Sequence, residues 1–186
     1  DMKGSVLGLV GFGSIGREVA TMARSLGFHV LAYDPHGRAA IQAYDAGIER
    51  SLDAFVAEPD VASLHCPLTN ETREMISRPQ LERMKPGSIL INTARGGLVN
   101  EADLCAALHS GHLGGAGLDS FAQEPPNPDN PLWRAPNLVV TPHVAGVTRG
   151  ATREMAVMAA QQVIDILNGG TPIPRNLVSV AECAVA

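Results

Sequence analysis

The sequence lacks clusters of basic residues, and this absence excludes a large class of partners. Its 186 residues carry a formal net charge of −5, and arginines stand singly, as at Arg17, Arg24, Arg50 and Arg83. A protein that binds nucleic acid needs a patch or stripe of positive charge on one face. We therefore expect no nucleic-acid partner.

Long apolar runs are missing as well. The longest runs have the length of a strand and are interrupted by glycine or by charged residues, whereas a membrane-spanning helix needs about 20 apolar residues. Apolar residues begin within a few positions of Asp1, so no signal peptide is expected before the first strand. The sequence predicts no association with a membrane.

Cysteine is scarce and unpaired in spacing. The three cysteines, Cys66, Cys105 and Cys183, are far apart and show neither disulfide-like pairing nor the spacing of metal ligands. We expect free thiols in a reducing, cytoplasmic setting and no metal site.

What is present is enough apolar sequence for a core. Hydrophobic residues make up 45% of the chain, which suits one well-packed domain over residues 1–186. The sequence opens on Asp1 rather than methionine and reaches a strand-like run almost at once. We therefore expect that a longer N-terminal part is missing or that these are residues left from a tag.

Short apolar runs alternate with helical patterns along the chain. The predicted strands are SVLGLVG (5–11), HVLAYD (29–34), IER (48–50), VASLHCP (61–67), SILINTA (88–94), HLGGAGLD (112–119) and NLVVTPH (137–143). The predicted helices cover about 14–26, 102–111 and an amphipathic stretch of about 148–168, with short helical pieces around the third strand. Proline-rich EPPNPDNPLWRAP (124–136) is predicted to be a loop. This alternation predicts an α/β fold with a doubly wound parallel sheet of about seven strands.

Most of the unusual polar residues follow directly after predicted strands. In open parallel sheets, ligands bind in the crevice beyond the carboxyl ends of the strands. The strand ends are followed by GFGSIG, Asp34, Cys66-Pro67, Thr93-Ala94-Arg95, Asp119 and His143. We expect these residues to converge on one edge of the sheet.

GFGSIG has the form G-x-G-x-x-G, with glycines at positions 11, 13 and 16. The pattern is weak alone, but here it follows a strand and opens a helix, which is the context that dinucleotide binding requires. Gly11 permits a tight turn, Gly13 lets backbone amides approach a pyrophosphate, and Gly16 lets helix and strand pack closely. Ser14 and Ile15 then offer the first free amides of the helix, at its positive dipole end.

Asp34 lies 18 positions beyond Gly16, at the end of the second strand. A carboxylate there accepts hydrogen bonds from the adenosine ribose and repels a 2′-phosphate, which favours NAD over NADP. An Asp-Pro turn, as in AYDPHG, would look the same in sequence, and His36 and Arg38 leave some tolerance of NADP open.

Four further residues are candidates for chemistry. Arg95 in INTARGG can bind a carboxylate through two hydrogen bonds and polarise a carbonyl, or it is a surface arginine in a turn. Glu124 can orient His143 and favour its protonated form, or it belongs to an acidic loop. Asp119 is placed to meet the nicotinamide end of a cofactor, or it forms a turn. His143 is either a proton carrier or a structural histidine where a strand stops.

Six ordered motifs, GFGSIG, YDP, HCPLTNET, INTARGG, GLDSFAQEP and TPHVAG, resemble the nicotinamide-binding domain of the D-isomer-specific 2-hydroxyacid dehydrogenases. The resemblance covers essentially the whole chain and implies a Rossmann-type domain with helices on both faces of the sheet. It also implies an oxidoreductase that transfers hydride between NAD(H) and a small 2-hydroxy or 2-keto acid. Ser120, where the family often has valine, and Cys66, where threonine is frequent, depart from the common pattern without removing a group that the chemistry needs.

The resemblance also assigns roles to residues. Arg95 becomes the arginine of the substrate carboxylate and carbonyl, His143 the proton donor during reduction, and Glu124 its carboxylate partner. Asp34 becomes the ribose ligand, Asp119 the nicotinamide-side aspartate, and Ser14 and Ile15 the pyrophosphate contacts. The resemblance further implies that the cofactor cleft is lined by Cys66, Pro67, Thr72, Thr93 and Ala94.

In this family the substrate pocket lies between the cofactor domain and a second, mostly N-terminal lobe, which the resemblance implies is absent here. Relatives dimerise through this domain, so a homodimer is expected. One alternative is a non-catalytic module that senses NAD(H), like the transcriptional co-repressor relatives, which retain similar residues. A second alternative is a truncated protein that binds NAD and has no activity of its own. Which 2-hydroxy acid is the substrate is not readable from this sequence.

Overall fold

The computed structural model describes residues 2–44, 46–48 and 51–173. These residues fall into two compact units, divided between His143 and Val144. The first unit holds the sheet and every predicted site residue. The second holds one long helix.

The first unit contains seven strands and five of the helices. The strands are β1 (Val6–Val10), β2 (His29–Tyr33), β3 (Gly47–Ile48), β4 (Val61–Leu64), β5 (Ile89–Asn92), β6 (Gly115–Leu118) and β7 (Leu138–Val140). The helices are α1 (Ser14–Ser25), α2 (Arg38–Ala43), α3 (Leu52–Val56), α4 (Arg78–Arg83) and α5 (Glu101–His109), with 3₁₀ turns at Gly96–Leu98 and Pro131–Arg134.

All strand pairs are parallel, and the strand order is β3-β2-β1-β4-β5-β6-β7. The chain runs outward from β1 to β3 and then returns to the other side of β1 with β4. The order therefore reverses between β1 and β4, and this switch point is where a doubly wound sheet opens a ligand crevice.

Helices cover both faces of the sheet, because neighbouring residues of β1 enter different cores. Leu7 and Leu9 pack in one core with Ala20, Ala23 and other residues from α1, α2 and β2. Val10 belongs to a second core, built largely from α3, α4, α5 and strands β4 to β6. Since alternate residues of a strand point to opposite faces, the predicted doubly wound architecture is confirmed.

The predicted elements are present with small shifts of their ends. The third strand is Gly47–Ile48, and residues 49 and 50 of the predicted IER strand lie outside the described residues. Gly111 follows α5 with a φ of 73°, as expected after a helix C-terminus. Three elements were not predicted: the 3₁₀ turn at Gly96–Leu98, the 3₁₀ turn inside the proline-rich loop, and α4, whose Ser77 and Gln80 form a capping box.

The second unit is the helix α6 (Arg149–Leu167), close to the predicted 148–168. The Thr148 side chain caps it by accepting a hydrogen bond from the Ala151 amide at 3.0 Å. The sequence predicts an amphipathic helix here, and no residue of α6 is buried among the residues described. Of all the helices in the described ranges, none is both long enough and apolar enough to cross a membrane.

Candidate active site

The sheet register brings the predicted site residues to one edge. Val10 pairs with Tyr33 on one side and with Leu64 on the other. Leu64 pairs with Asn92, Asn92 with Leu118, and Leu118 with Val140. The candidate residues follow these six positions within a few residues, so the predicted convergence is present.

Of the three glycines in the loop after β1, two lie against neighbouring backbone and one faces open space. Gly11 has a φ of 91°, and a Cβ there would lie 2.7 Å from the Cys66 amide nitrogen. A Cβ at Gly16 would collide with the Gly11 carbonyl oxygen. At Gly13, by contrast, a Cβ would meet no atom within 4 Å. The space in front of this glycine is therefore open.

This open space lies at the N-terminus of α1. Gly13 is the N-cap, no side chain caps the helix, and its first turn contains no acidic residue. Ser14 and Ile15 are exposed, and the Ile15 side chain is 66% accessible. Uncapped amides at a positive helix end attract an anion, and the space in front of Gly13 is open to one. The loop thus fits the pyrophosphate of a dinucleotide.

Asp34 joins the glycine loop to the turn after β2. Its Oδ2 accepts a hydrogen bond from the Phe12 amide at 2.8 Å. Its Oδ1 accepts from the amides of His36 and Gly37, both at 2.9 Å. The Asp-Pro turn considered from the sequence does form, and the same carboxylate also reaches the loop where a dinucleotide would lie.

The segment after β4 forms another wall of this edge. Thr72 does not present a free hydroxyl, because its Oγ1 donates to the Pro67 carbonyl at 2.7 Å and accepts from the Thr69 amide at 2.7 Å. Cys66 is half-buried with its Sγ 3.7 Å from the Met75 Sδ, and burial raises the pKa of its thiol to about 11. Cys66 therefore stays a protonated, unreactive thiol at neutral pH.

His65 lies next to Cys66 and is a neutral residue of the framework. Its Nε2 is 3.0 Å from the Ser63 hydroxyl, and burial lowers the pKa of its ring. Its backbone carbonyl would be only 2.9 Å from a Cβ at Gly11. The close approach of this backbone is therefore one reason why position 11 is glycine.

Asn92, which was not predicted as a site residue, shapes the loop that carries Arg95. Its side chain is almost completely buried, donates from Nδ2 to the Arg95 carbonyl at 2.9 Å, and accepts from the Ala94 amide at 3.1 Å. Arg95 and Thr93 are exposed, Ala94 is half-buried, and Arg95 donates from Nη1 to the Ala94 carbonyl at 2.8 Å. A polar residue at the end of an otherwise apolar strand, ILIN, was the available sequence indication.

Gly96 fixes this loop against the segment after β6. A Cβ at Gly96 would overlap the peptide between Phe121 and Ala122. Only glycine therefore allows the backbone after Arg95 to touch the backbone that leads to Glu124. The positive charge of Arg95 lies near enough to Glu124 to add a small lowering of its pKa, after the larger effects of its hydrogen bonds to His143 and Phe121.

His143 and Glu124 form a direct pair, with His143 Nδ1 2.7 Å from Glu124 Oε2. Glu124 Oε1 also accepts the Phe121 amide at 3.0 Å. The hydrogen bond from His143 and then the one from Phe121 hold the pKa of the Glu124 carboxyl below its usual range. Because a carboxylate can only accept, His143 Nδ1 must carry the hydrogen, and Nε2 is left to exchange a proton.

The backbone at His143 is unusual. Its φ of 56° lies in the left-handed region, which non-glycine residues seldom adopt and which costs free energy. Such conformations persist where the surroundings impose them, and they concentrate at functional sites. Here the conformation coincides with the bond to Glu124.

Asp119 is buried and held. It is 2% accessible, its Oδ1 accepts a hydrogen bond from the Thr141 hydroxyl, and its amide donates to the Asn92 carbonyl at 2.9 Å. Asp119 thus lies at the carboxyl end of β6, between the ends of β5 and β7. A cavity of about 330 Å³ at this end of the sheet is lined by Phe121, Glu124, Pro125, Pro126, Trp133, Val140, Thr141, Pro142 and His143.

Comparisons with known proteins agree with this geometry. Residues 1–145 match the sequence profile of the family described as D-isomer specific 2-hydroxyacid dehydrogenase, NAD binding domain. The chain is 44% identical over 180 residues to a glycerate dehydrogenase of Methylorubrum extorquens, which covers 96% of this chain and 54% of that protein. It is 40% identical over 177 residues to C-terminal-binding protein 1 of Caenorhabditis elegans, covering 92% of this chain and 24% of that protein.

A solved structure gives the same result. The NAD-complexed D-isomer specific 2-hydroxyacid dehydrogenase of Lactobacillus delbrueckii ssp. bulgaricus is 34% identical and superposes with a TM-score of 0.82, over 90% of this chain and 55% of that one. The chain spans about half the length of the dehydrogenases that it matches. With the cofactor edge described above, these matches show that the chain belongs to the D-isomer-specific 2-hydroxyacid dehydrogenase family and contains its NAD-binding domain.

Proposed function

We propose that this chain is the cofactor half of an NAD-dependent D-2-hydroxyacid dehydrogenase that interconverts a small 2-hydroxy acid and its 2-keto acid. The observation that carries the proposal is the 2.7 Å pair of His143 and Glu124, on the same sheet edge as an open glycine loop and an exposed arginine. When bound, the nicotinamide supplies or accepts the hydride.

The positions and contacts of the three catalytic candidates support the following roles. Arg95 binds the substrate carboxylate and stabilises negative charge that develops on the keto oxygen. His143, oriented through Nδ1 by Glu124, gives a proton from Nε2 to that oxygen during reduction and removes the hydroxyl proton in the other direction. Glu124 stays ionised because its hydrogen bonds lower its pKa.

The cofactor contacts form a second group of proposed roles. Ser14 and Ile15 meet the pyrophosphate with their amides, with Gly11, Gly13 and Gly16 giving the loop its shape. Asp34 accepts hydrogen bonds from the adenosine ribose hydroxyls and repels a 2′-phosphate, which favours NAD over NADP. The remaining contacts are Asp119 at the nicotinamide end, and Cys66, Pro67, Thr72, Thr93 and Ala94 along the cleft; Thr72 contributes by holding the Pro67 backbone rather than with a free hydroxyl.

The test is an activity assay on the full-length protein. We expect NADH oxidation with at least one member of a panel of 2-keto acids, and none without a keto acid. Absence of turnover with the whole panel, while NADH still binds, would instead support the alternative of a non-catalytic NAD(H)-responsive module. The 40% identity to a C-terminal-binding protein is the observation that keeps this alternative open.

Three further proposals concern the intact protein. A second lobe completes the substrate pocket, since relatives are about twice as long. The protein forms a homodimer, as the family resemblance implies, which light scattering would check. It works in the reducing cytoplasm, which the free thiols of Cys66 and Cys105 support.

A further inference from the structure

The Asp34 carboxylate has few free sites left at which to accept a hydrogen bond. A carboxylate has about four lone-pair sites, and the amides of His36 and Gly37 occupy Oδ1 while the Phe12 amide occupies one site on Oδ2. Counting the hydrogen bonds among the described residues, the one site left is on Oδ2. A ribose hydroxyl that binds Asp34 must therefore use this oxygen.

Gly37 lies against that same oxygen. A Cβ at position 37 would be 2.8 Å from both Oδ2 and Cγ of Asp34, and 3.1 Å from its Cβ. Real Cβ atoms essentially never approach so closely. Any side chain at position 37 would therefore push the carboxylate away from Phe12 or cover Oδ2.

The backbone itself does not require glycine here. Gly37 has φ −99° and ψ 11°, a sparsely populated region that ordinary L residues nonetheless adopt. The glycine is therefore explained by the Asp34 side chain and not by the turn. This separates it from Gly11, where a φ of 91° strains any side chain whatever lies nearby.

We propose that Gly37 is a positioning residue for cofactor recognition: by lacking a side chain, it leaves Asp34 Oδ2 bonded to Phe12 and open to a ribose hydroxyl. The inference rests on the proposed ribose role of Asp34 and deepens it. Two basic residues, His36 and Arg38, flank Gly37. When the carboxylate is displaced, they remain to meet the 2′-phosphate of NADP, which an arginine in this region accommodates.

The experiment measures the Kd of NAD+, NADP+ and nicotinamide mononucleotide by calorimetry for the chain and its Gly37→Ala variant. We expect Gly37→Ala to weaken NAD+ about tenfold or more, because a hydrogen bond to a charged group is lost. NADP+ should weaken less, so that the ratio of the two Kd values moves toward NADP+. Nicotinamide mononucleotide, which lacks the adenosine ribose, should bind unchanged.

Two further variants separate this role from a purely structural one. Gly37 is also the N-cap of α2, and serine is a far better N-cap than alanine, so Gly37→Ser repairs any capping defect while keeping a Cβ. We expect Gly37→Ser to lose NAD+ affinity as Gly37→Ala does. Adding Gly37→Ala to Asp34→Ala should change the NAD+ Kd by less than about twofold, because the group it displaces is gone.

The Phe12 amide gives a readout without ligand. Its resonance in a ¹⁵N-labelled protein should shift in Gly37→Ala and not in Gly150→Ala, where a Cβ meets nothing closer than 3.9 Å. Unchanged NAD+ affinity in Gly37→Ala, recovery in Gly37→Ser, or an equal loss in the Asp34→Ala background would overturn the inference. Failure of the unaltered chain to bind NAD+ would overturn the proposed function, and this inference with it.

Discussion

Two hydrogen bonds at Glu124 set the orientation of the His143 ring, which we propose to be the proton carrier. Glu124 accepts from both His143 and the Phe121 amide, so the carboxylate is fixed from two directions before it orients the imidazole. The left-handed backbone at His143 costs free energy, which the surrounding structure offsets.

Glu124→Gln removes the charge and keeps the shape. We expect turnover of the full-length protein to fall by about 10²-fold, in line with the typical contribution of a positioned acid–base group, while the Kd of NADH stays within twofold. Glu82→Gln, a change of an exposed glutamate on α4, is the matched control and should leave both values unaltered. Equal loss in both variants would show that the pair has no special role.

Two buried serines should respond in opposite directions to the same substitution. Ser120 is 2% accessible and its hydroxyl has no partner among the described residues, whereas the Ser63 hydroxyl bonds the His65 ring at 3.0 Å. We expect Ser120→Ala to raise the free energy of unfolding by about 1 kcal/mol and Ser63→Ala to lower it by about 1 kcal/mol. Urea unfolding measures both, and a destabilised Ser120→Ala would contradict the assignment.

For single residues, the sequence predicted which residue types stand at the strand ends but not which contacts they make. A strand-end arginine, aspartate and histidine could be named because their positions follow from the strands. The roles of Asn92 and Gly37 could not be predicted, because each depends on a distance between segments that are adjacent only in the fold. The single open site on Asp34 is likewise a property of three amides and not of the motif.

Among the structural elements, the loops after β5 and β6 act as one unit. Gly96 lets the backbone beyond Arg95 lie on the Phe121–Ala122 peptide, and the Asn92 carbonyl accepts the Asp119 amide at 2.9 Å. Arg95 and the Glu124–His143 pair are therefore held relative to one another by backbone contacts. Precise placement of this kind is what catalytic geometry requires.

Gly96→Ala should break this unit. We expect it to lower the free energy of unfolding by about 3 kcal/mol, at the upper end for overpacking a core contact, because the added methyl group meets rigid backbone. Gly97→Ala is the control, since its Cβ meets the flexible end of the Leu68 side chain at 2.9 Å and should cost less. Equal stability of the two variants, measured by chemical denaturation, would contradict the contact.

The opposite edge of the sheet is held by Asp60, which precedes β4. Its Oδ2 accepts the Val6 amide at 2.7 Å and its Oδ1 the Lys85 ammonium at 3.0 Å. The amide hydrogen bond, followed by the bond to Lys85, lowers the pKa of this carboxyl. A carboxyl with a lowered folded-state pKa stabilises the fold above its unfolded value, about 3.9, and loses this effect as the pH falls through the folded value.

Asp60→Asn tests this dependence on pH. We expect the variant to be less stable than the unaltered chain at neutral pH, with the difference shrinking below about pH 4. Denaturant titrations of both proteins between about pH 7 and pH 3 measure the difference. A difference that stays constant with pH would show that the ionised carboxyl is not what holds β1 to β4.

At the scale of the whole molecule, the sequence predicted the architecture because alternating strands and helices leave few topologies. Near-continuous apolar strands with helical connections require a parallel sheet covered on both faces. The seven strands of the structure form such a sheet. The surroundings of α6 were not predictable in the same way. Its apolar residues, among them Met158, Ile164 and Leu167, are exposed in the described structure, since periodicity shows that a face is apolar but not what packs on it.

We propose that His143 carries the proton and that the glycine loop after β1 binds the cofactor, as separable parts of one site. The most direct test compares steady-state turnover of a 2-keto acid and NADH affinity in the full-length protein and its His143→Ala variant, with His29→Ala, an exposed histidine at the start of β2, as control. We predict a loss of at least about 10²-fold in kcat for His143→Ala alone, with the Kd of NADH unchanged. A His143→Ala protein that retains turnover, or that loses NADH affinity together with activity, would rule out this division of roles.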